Sequence, residues 1–376
     1  MKFLFQAFFS VFLFSNIHFS YGQIPLSGNA EISLLTCGTG DQLYSIYGHT
    51  ALRINDPEKG IDIVYNYGTF DFSTPNFYGK FVKGDLQYFV STSSFEEFNY
   101  SYVYDNREIT EQVLNLTQPQ KQMIFNELSE VLSSEKRFYT YKFIDRNCTT
   151  MVADLINSVL PEKISTKIPD TEKTYRTILY GYLKNNFYEN LGINLMFGIK
   201  TDRKSDKLFL PVELQQGVSL SRNNNESLVK EEKTVYKKVE NGSNKSLWNN
   251  YFSFVVLMLI PLLFSGKRIF QLIWLTLSGV LGIFFATVGL YSEHQEVLWN
   301  YNVLLMNPCF LVLAFLLLQK NTNGIKKMII FCSLCLIGYT AFIAAKVQLV
   351  MMLPLILTNA VLFYQIWKKH SPKPEK

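Results

Sequence analysis

From Leu247 onward the chain is mostly hydrocarbon, broken into five apolar runs at roughly 248–265, 269–291, 302–319, 328–345 and 347–367. Runs of this length are what a bilayer core demands, and the absence of water there forces each to satisfy its backbone internally as a helix. The first run is short, and the last two are barely separated. Lys267 and Arg268, then Lys320, Lys326 and Lys327, then Lys368, Lys369, Lys373 and Lys376 fall in alternate loops. The positive-inside rule makes those loops cytoplasmic, which puts everything before Leu247, and the loop Ser292 to Tyr301, on the outer face. The N-terminus agrees: Met1 to Gly22 carries Lys2, a Phe-rich apolar run and then Ser20-Tyr21-Gly22, the layout of a secretory signal peptide, with an uncleaved anchor as the alternative.

Composition therefore divides the chain. A signal peptide at 1–22 precedes an exported domain at 23–222, whose charges and tyrosines alternate with short apolar runs. An Asn-, Ser-, Lys- and Glu-rich stretch at 223–247 reads as a linker. The five helices at 248–367 lead to a cytoplasmic tail at 368–376. The net charge of +5 is spread over tail, loops and linker and carries no indication of nucleic-acid binding. The fold class expected is α+β for the exported domain and all-α for the membrane part.

Two stretches in the exported domain carry chemistry. In Asp145-Arg146-Asn147-Cys148-Thr149-Thr150, Asn147 is a helix N-cap, and Cys148, Met151, Val152, Leu155, Ile156 and Val159 follow at helical spacing. Cys148 then sits in a first turn, where free N–H groups and the helix dipole favour a thiolate and could hold an oxyanion. The plain alternative is a small packed residue. Cys37, the other cysteine of the exported domain, reads as core, and a disulfide between the two would silence the nucleophile.

The second stretch, Tyr47 to Ile54, sets His49 at the head of a strand. Asn55-Asp56-Pro57-Glu58-Lys59-Gly60 is turn chemistry, and Ile61 to Tyr67 reads as the return strand. If Ile54 faces Ile61, Asn66 stands opposite His49 and could orient its ring, the third role in a thiol triad. A slip of one residue would substitute Tyr65 or Tyr67, and Asp71 is a further candidate. Asn147, Tyr67, Asp71 and Arg53 are supporting candidates. In the outer loop, Ser292, Glu293, His294 and Asn302 are candidates for substrate binding, against the plain reading of a solvated connector. Cys332 and Cys335 have no second ligand pair, so their spacing does not suggest zinc.

Histidine first, and a helix-opening cysteine later, resembles the circularly permuted branch of the papain-like NlpC fold, to which lecithin:retinol acyltransferase belongs. More closely, Leu34-Leu35-Thr36-Cys37, Tyr47-Gly48-His49-Thr50-Ala51-Leu52-Arg53, Asn66-Tyr67-Gly68-Thr69-Phe70-Asp71-Phe72 and Arg146-Asn147-Cys148-Thr149-Thr150 look like the periplasmic domain of the lipoprotein N-acyltransferase (Lnb) family. The loop at Ser292-Glu293-His294 and the segment Asn302 to Pro308 look like that family's membrane part. Gly38-Thr39-Gly40 departs from the proline-containing turn expected there. The resemblance implies N-acylation of the diacylglyceryl-modified cysteine of bacterial lipoproteins at the outer face of the inner membrane. A phospholipid would be acyl donor and a diacylated lipoprotein the acceptor, with no metal or cofactor. The alternatives are an NlpC-like peptidase or amidase acting on cell-wall peptides, and a non-catalytic membrane-tethered module.

Overall fold

A computed structural model describes residues 24–239 and 246–371; the expected signal peptide and the last residues of the expected tail lie outside them. The exported domain is built on a seven-stranded antiparallel sheet of order β6-β4-β3-β2-β1-β5-β9. Its strands are β1 (Glu31–Cys37), β2 (His49–Asp56), β3 (Ile61–Thr69), β4 (Gln87–Ser94), β5 (Ile109–Leu114), β6 (Phe138–Thr140) and β9 (Val229–Tyr236), while β7 (Arg222–Asn223) and β8 (Glu226–Ser227) form a separate small hairpin.

Helices cover both faces. On one, α2 (Phe95–Tyr104) packs Phe98 on Leu35, Ala51 and Val64, while α1 (Phe77–Lys83), which links β3 to β4, sets Phe77 against the core of the other. On the other, α3 (Gln118–Ser133) and α4 (Cys148–Asn157) press Ile124, Leu128, Val152 and Ile156 onto Leu34, Leu52 and Ile54. Each such aliphatic side chain contributes about 1.5–3 kcal/mol when fully buried, so these two layers supply most of the domain's cohesion. Helices α5 (Tyr175–Tyr182), α6 (Phe187–Met196) and α7 (Pro211–Ser219) follow.

Two of the elements that were not expected are instructive. The first is α2: Ser94 accepts from Glu97 N–H while Glu97 accepts from Ser94 N–H, a capping box written in the sequence as Ser-x-x-Glu. The second is β9, which falls inside the segment 223–247 read as a linker. That reading is corrected: Val229–Tyr236 pairs with β5 along its whole length. Its charges misled because β9 is an edge strand, where charged side chains face water and block further pairing. They also answer buried groups on β5, with Lys233 3.2 Å from Glu111 and Gln112 donating to Glu232 at 2.7 Å.

The membrane part comprises α8 (Tyr251–Phe264), α9 (Arg268–Tyr291), α10 (Cys309–Gln319, preceded by 3-10 turns from Gln295), α11 (Thr322–Ile343) and α12 (Leu349–His370). Four of these segments are long and apolar enough to cross a membrane, whereas α8 spans only 14 residues. At 1.5 Å per residue α8 rises about 21 Å, short of the roughly 30 Å hydrocarbon core.

The loops expected on the outer side are the ones that meet the exported domain. Gly198 N–H donates to the Glu296 carbonyl at 2.7 Å, Lys346 pairs with Asp202 at 2.9 Å, and the Asn300 amide donates to the carbonyls of Leu195 and Met196 at 2.7 and 3.0 Å. Arg176, 2 % exposed, reaches Asp202, Asn194 and the carbonyls of Phe197 and Gly198. Helix α6 turns its Phe187, Leu191 and Leu195 into the membrane-domain core. The two parts are thus joined through apolar packing and a buried polar seam.

Candidate active site

Cys148 opens α4, as its spacing predicts. Asn147 caps the helix, its Oδ1 accepting from the N–H groups of Thr149 (2.9 Å) and Thr150 (3.0 Å), while Asn147 N–H donates to the Thr150 hydroxyl. The Asn147 amide also donates to the carbonyls of Phe143 and Phe209 at 2.8 and 2.9 Å. The cap therefore also staples the approach loop and the α7 segment to the helix start. Gly68 passes beside the thiol in a backbone conformation that favours glycine: its φ is +89°, and a Cβ there would make an ordinary contact, 3.7 Å from the Cys148 Cβ.

His49 begins β2, and its Nε2 lies 3.2 Å from Asn66 Oδ1. The register differs from the one expected. Asp56 pairs with Ile61, so Ala51 stands opposite Asn66, two residues from the expected pairing. A two-residue offset preserves the face, and Asn66 meets His49 as a diagonal neighbour.

The other ring nitrogen is left for the thiol. Burial of Cys148 works against its ionisation, but the His49 imidazole, by charge and hydrogen bonding, the Thr50 N–H and the Thr149 hydroxyl together hold its pKa below the usual thiol value. Thr149 Oγ1 is 3.9 Å from the sulfur and 3.0 Å from Thr50 Oγ1, tying the first turn of α4 to β2. The contrast with Cys37 is plain. It pairs with His49 across the β1–β2 ladder, yet it is fully buried, and burial pushes its thiol up to about 12.

Of the remaining candidates, Tyr67 is a core residue whose ring centroid lies 6.5 Å from that of Tyr139. Asp71 is corrected as an orienting residue: it is exposed and its carboxylate is bound to its own turn, through Ser73 N–H and hydroxyl at 2.8 and 2.6 Å. Arg53 lies four residues along β2 from His49 and is held by Asp62 and Glu111 at 2.7 and 3.1 Å, with Phe95 stacked 3.5 Å away. It braces the sheet.

Asn302 is likewise corrected as a substrate ligand. It is fully buried, donates to the carbonyls of Asn194 and Leu195, and accepts from Tyr339. Ser292, Glu293 and His294 sit beside the exported domain and are bonded to it: Ser292 Oγ to the Val82 carbonyl (3.1 Å), Glu293 N–H to the Lys83 carbonyl (2.7 Å), and His294 Nε2 to the Phe81 carbonyl (2.8 Å). Lys142, in the loop before Cys148, donates to Glu293 Oε2 at 3.0 Å.

Residues the sequence reading passed over complete the surroundings. Tyr141 stacks on Tyr88 with centroids 4.5 Å apart, and burial first, then the nearby Cys148, raises its pKa well above normal. Lys200 donates to Asp145 at 2.5 Å and stands 3.8 Å from Glu296, a carboxylate only 1 % exposed. The sequence held no local signal for these, because they converge from four separate segments.

The molecule defined so far is a multi-pass membrane protein whose extracytoplasmic α/β domain carries a Cys-His-Asn constellation beside the outer loops. The family model of the Lnb N-terminal periplasmic domain matches residues 23–181, and that of the Lnb transmembrane domain matches residues 251–371. Together they cover well over half of the chain, which belongs to the Lnb family. Searches of curated proteins and of solved structures gave no match.

Proposed function

We propose that the protein is a thiol acyltransferase on a circularly permuted papain-like scaffold, which N-acylates the amino-terminal diacylglyceryl-cysteine of lipoproteins at the outer face of the inner membrane. The observation that carries this reading is the position of Cys148: at a helix start, beside an imidazole held by Asn66, in a chain built from the two Lnb domains.

His49 takes the Cys148 proton, and the thiolate attacks an ester carbonyl of a phospholipid. The tetrahedral intermediate collapses to a Cys148 thioester, and the departing lysophospholipid alkoxide receives the proton from the imidazolium. The lipoprotein's neutral amine then attacks the thioester, the thiolate leaves, and the amine's surplus proton passes to His49, which returns it to the thiolate. Because Asn147 takes the Thr149 and Thr150 N–H groups, the first-turn donor left for the oxyanion is the Cys148 N–H, narrowing the expected set of helix donors. Fixing the domain to the membrane keeps the thiol where both lipid substrates reside, replacing a search in solution by one in a plane.

The test is mass spectrometry of the full-length protein after incubation with phospholipid vesicles. The expected result is a fatty-acyl mass on the Cys148 peptide, labile to hydroxylamine, absent in Cys148→Ser, reduced about 10²- to 10⁴-fold in His49→Ala, and discharged by a diacylated lipopeptide. Absence of an adduct on a free thiol, with cleavage of soluble cell-wall peptides instead, would replace this reading by a peptidase.

A further inference from the structure

Helix α1 is unusual for a folded protein: none of its seven residues is buried. Tyr78 is 78 % exposed, Phe81 45 %, Val82 44 %, and Phe72 just before the helix 63 %. So short a helix is not stable in water by itself, and in proteins it is packing of an apolar face that holds a helix. Phe77 packs inward on Phe70 and Phe72, and the Phe81 ring lies 6.1 Å from that of His294, but Tyr78, Val82 and much of Phe81 remain open, although full burial of each large side chain would recover about 1.5–3 kcal/mol.

The position of α1 identifies what covers it. Helix α9 ends at Tyr291, and the next three residues, Ser292, Glu293 and His294, bond to the last carbonyls of α1, those of Val82, Lys83 and Phe81. Contact is close enough that a side chain at Gly84, where φ is +80°, would meet His294 N at 3.0 Å. Helix α1 is therefore fixed at the level where a membrane span leaves the hydrocarbon. Leu290 and Tyr291 are exposed at the same level. Lys80 lies in the last turn of α1, as expected beside lipid phosphates, while the neighbouring Lys83 is paired with Asp85 at 2.5 Å.

From this face a run of aromatic contacts leads inward. Tyr78 meets Phe77, Phe77 meets Phe72 and Phe70 at 4.9–5.9 Å, Phe70 meets Tyr88 at 5.3 Å, and Tyr88 stacks on Tyr141, the neighbour of the thiol. We propose that α1 lies in the outer leaflet, its aromatic face in contact with lipid acyl chains, and that the Phe72-Phe77-Phe70-Tyr88 run is the wall along which an acyl chain reaches Cys148. The bilayer contact stands on the geometry of α1 alone; delivery to the thiol rests on the acyl-transfer reading.

The experiment uses the wild-type full chain in vesicles of phosphatidylethanolamine and phosphatidylglycerol containing a phospholipid with a diazirine at the end of one acyl chain. After irradiation, adducts are mapped by peptide mass spectrometry. The expected result is labelling of the segment 72–82 about ten-fold above that of Tyr100 and Tyr104, an equally exposed aromatic pair on α2. Labelling of 72–82 no stronger than that control, while α9 and α12 label fully, would overturn the proposal and leave the face for a protein partner. The same samples separate the two readings. Labelled α1 without a Cys148 thioester keeps the bilayer contact and removes acyl transfer, whereas a thioester with α1 unlabelled does the reverse.

Discussion

Asn66 Oδ1 lies 3.2 Å from Nε2 of His49, across a strand pair in which Asn66 stands opposite Ala51. Because the amide oxygen accepts, Nε2 carries the hydrogen and the second ring nitrogen is free to take the thiol proton. Asn66→Ala should lower the rate of Cys148 acylation roughly 10- to 100-fold, less than removal of His49 itself, with the melting temperature in detergent little changed. An acylation rate equal to wild type would show that the ring needs no such holder.

Cys148 should react with iodoacetamide with a half-maximal pH below the ordinary thiol range, since its pKa is lowered in the folded protein. In His49→Ala that midpoint should move up, because the largest opposing influence is gone while burial remains. Cys37, raised to about 12 by burial, should stay unmodified at pH 8. Peptide mapping across a pH series reads all three, and equal alkylation of the two cysteines would contradict the assignment.

Glu213 gives the stability of the domain a defined pH dependence. It is 1 % exposed, and its Oε2 accepts from the N–H groups of Phe209 and Leu210 at 2.8 and 3.0 Å, holding the segment that the Asn147 amide also grips. Burial outweighs those bonds and raises its carboxyl from 4.5 to about 7. Between those values the folded state binds the proton that the unfolded state releases, so this group's contribution to stability increases as pH falls from about 7 toward 4.5. Glu213→Gln should flatten that dependence and raise stability above pH 7 by about 2–3 kcal/mol at most, as read by thermal melts at pH 5 and pH 8.

Lys200 joins the approach loop of the thiol to the membrane domain, between Asp145 and the buried Glu296. Lys200→Met strands Glu296 without a cation and should cost about 2–4 kcal/mol, whereas Glu296→Gln removes the charge and should cost much less. Hydrogen exchange at Gly198, whose N–H bonds the Glu296 carbonyl, should quicken in the first variant and not in the second. Equal effects would show that the pairing contributes little.

Asn147→Ala removes the cap of α4 together with its bonds to Phe143 and Phe209. A cap alone is worth about 1–2 kcal/mol. Exchange of the Thr149 and Thr150 amides should accelerate, and acylation of Cys148 should fall with it; unchanged protection of those two amides would remove Asn147 from this role.

What the sequence determined by itself is what local chemistry enforces. Apolar length and alternating basic loops placed the membrane helices and their orientation, because a bilayer tolerates neither unpaired backbone nor misplaced charge. Asn147 and the spacing behind it placed Cys148 in a first turn, and the turn at 55–60 placed His49 and Asn66 on facing strands. Tertiary structure decided the rest, because the deciding partner in each case is distant in the chain. Glu111 and Gln112 make a strand of a segment that reads as a linker; burial against residues 194–202 makes Asn302 a structural residue; and α1 meets the outer loop through contacts more than two hundred positions apart. A side chain's type limits what it can do, but only its neighbours in space set its burial, its charge and its role.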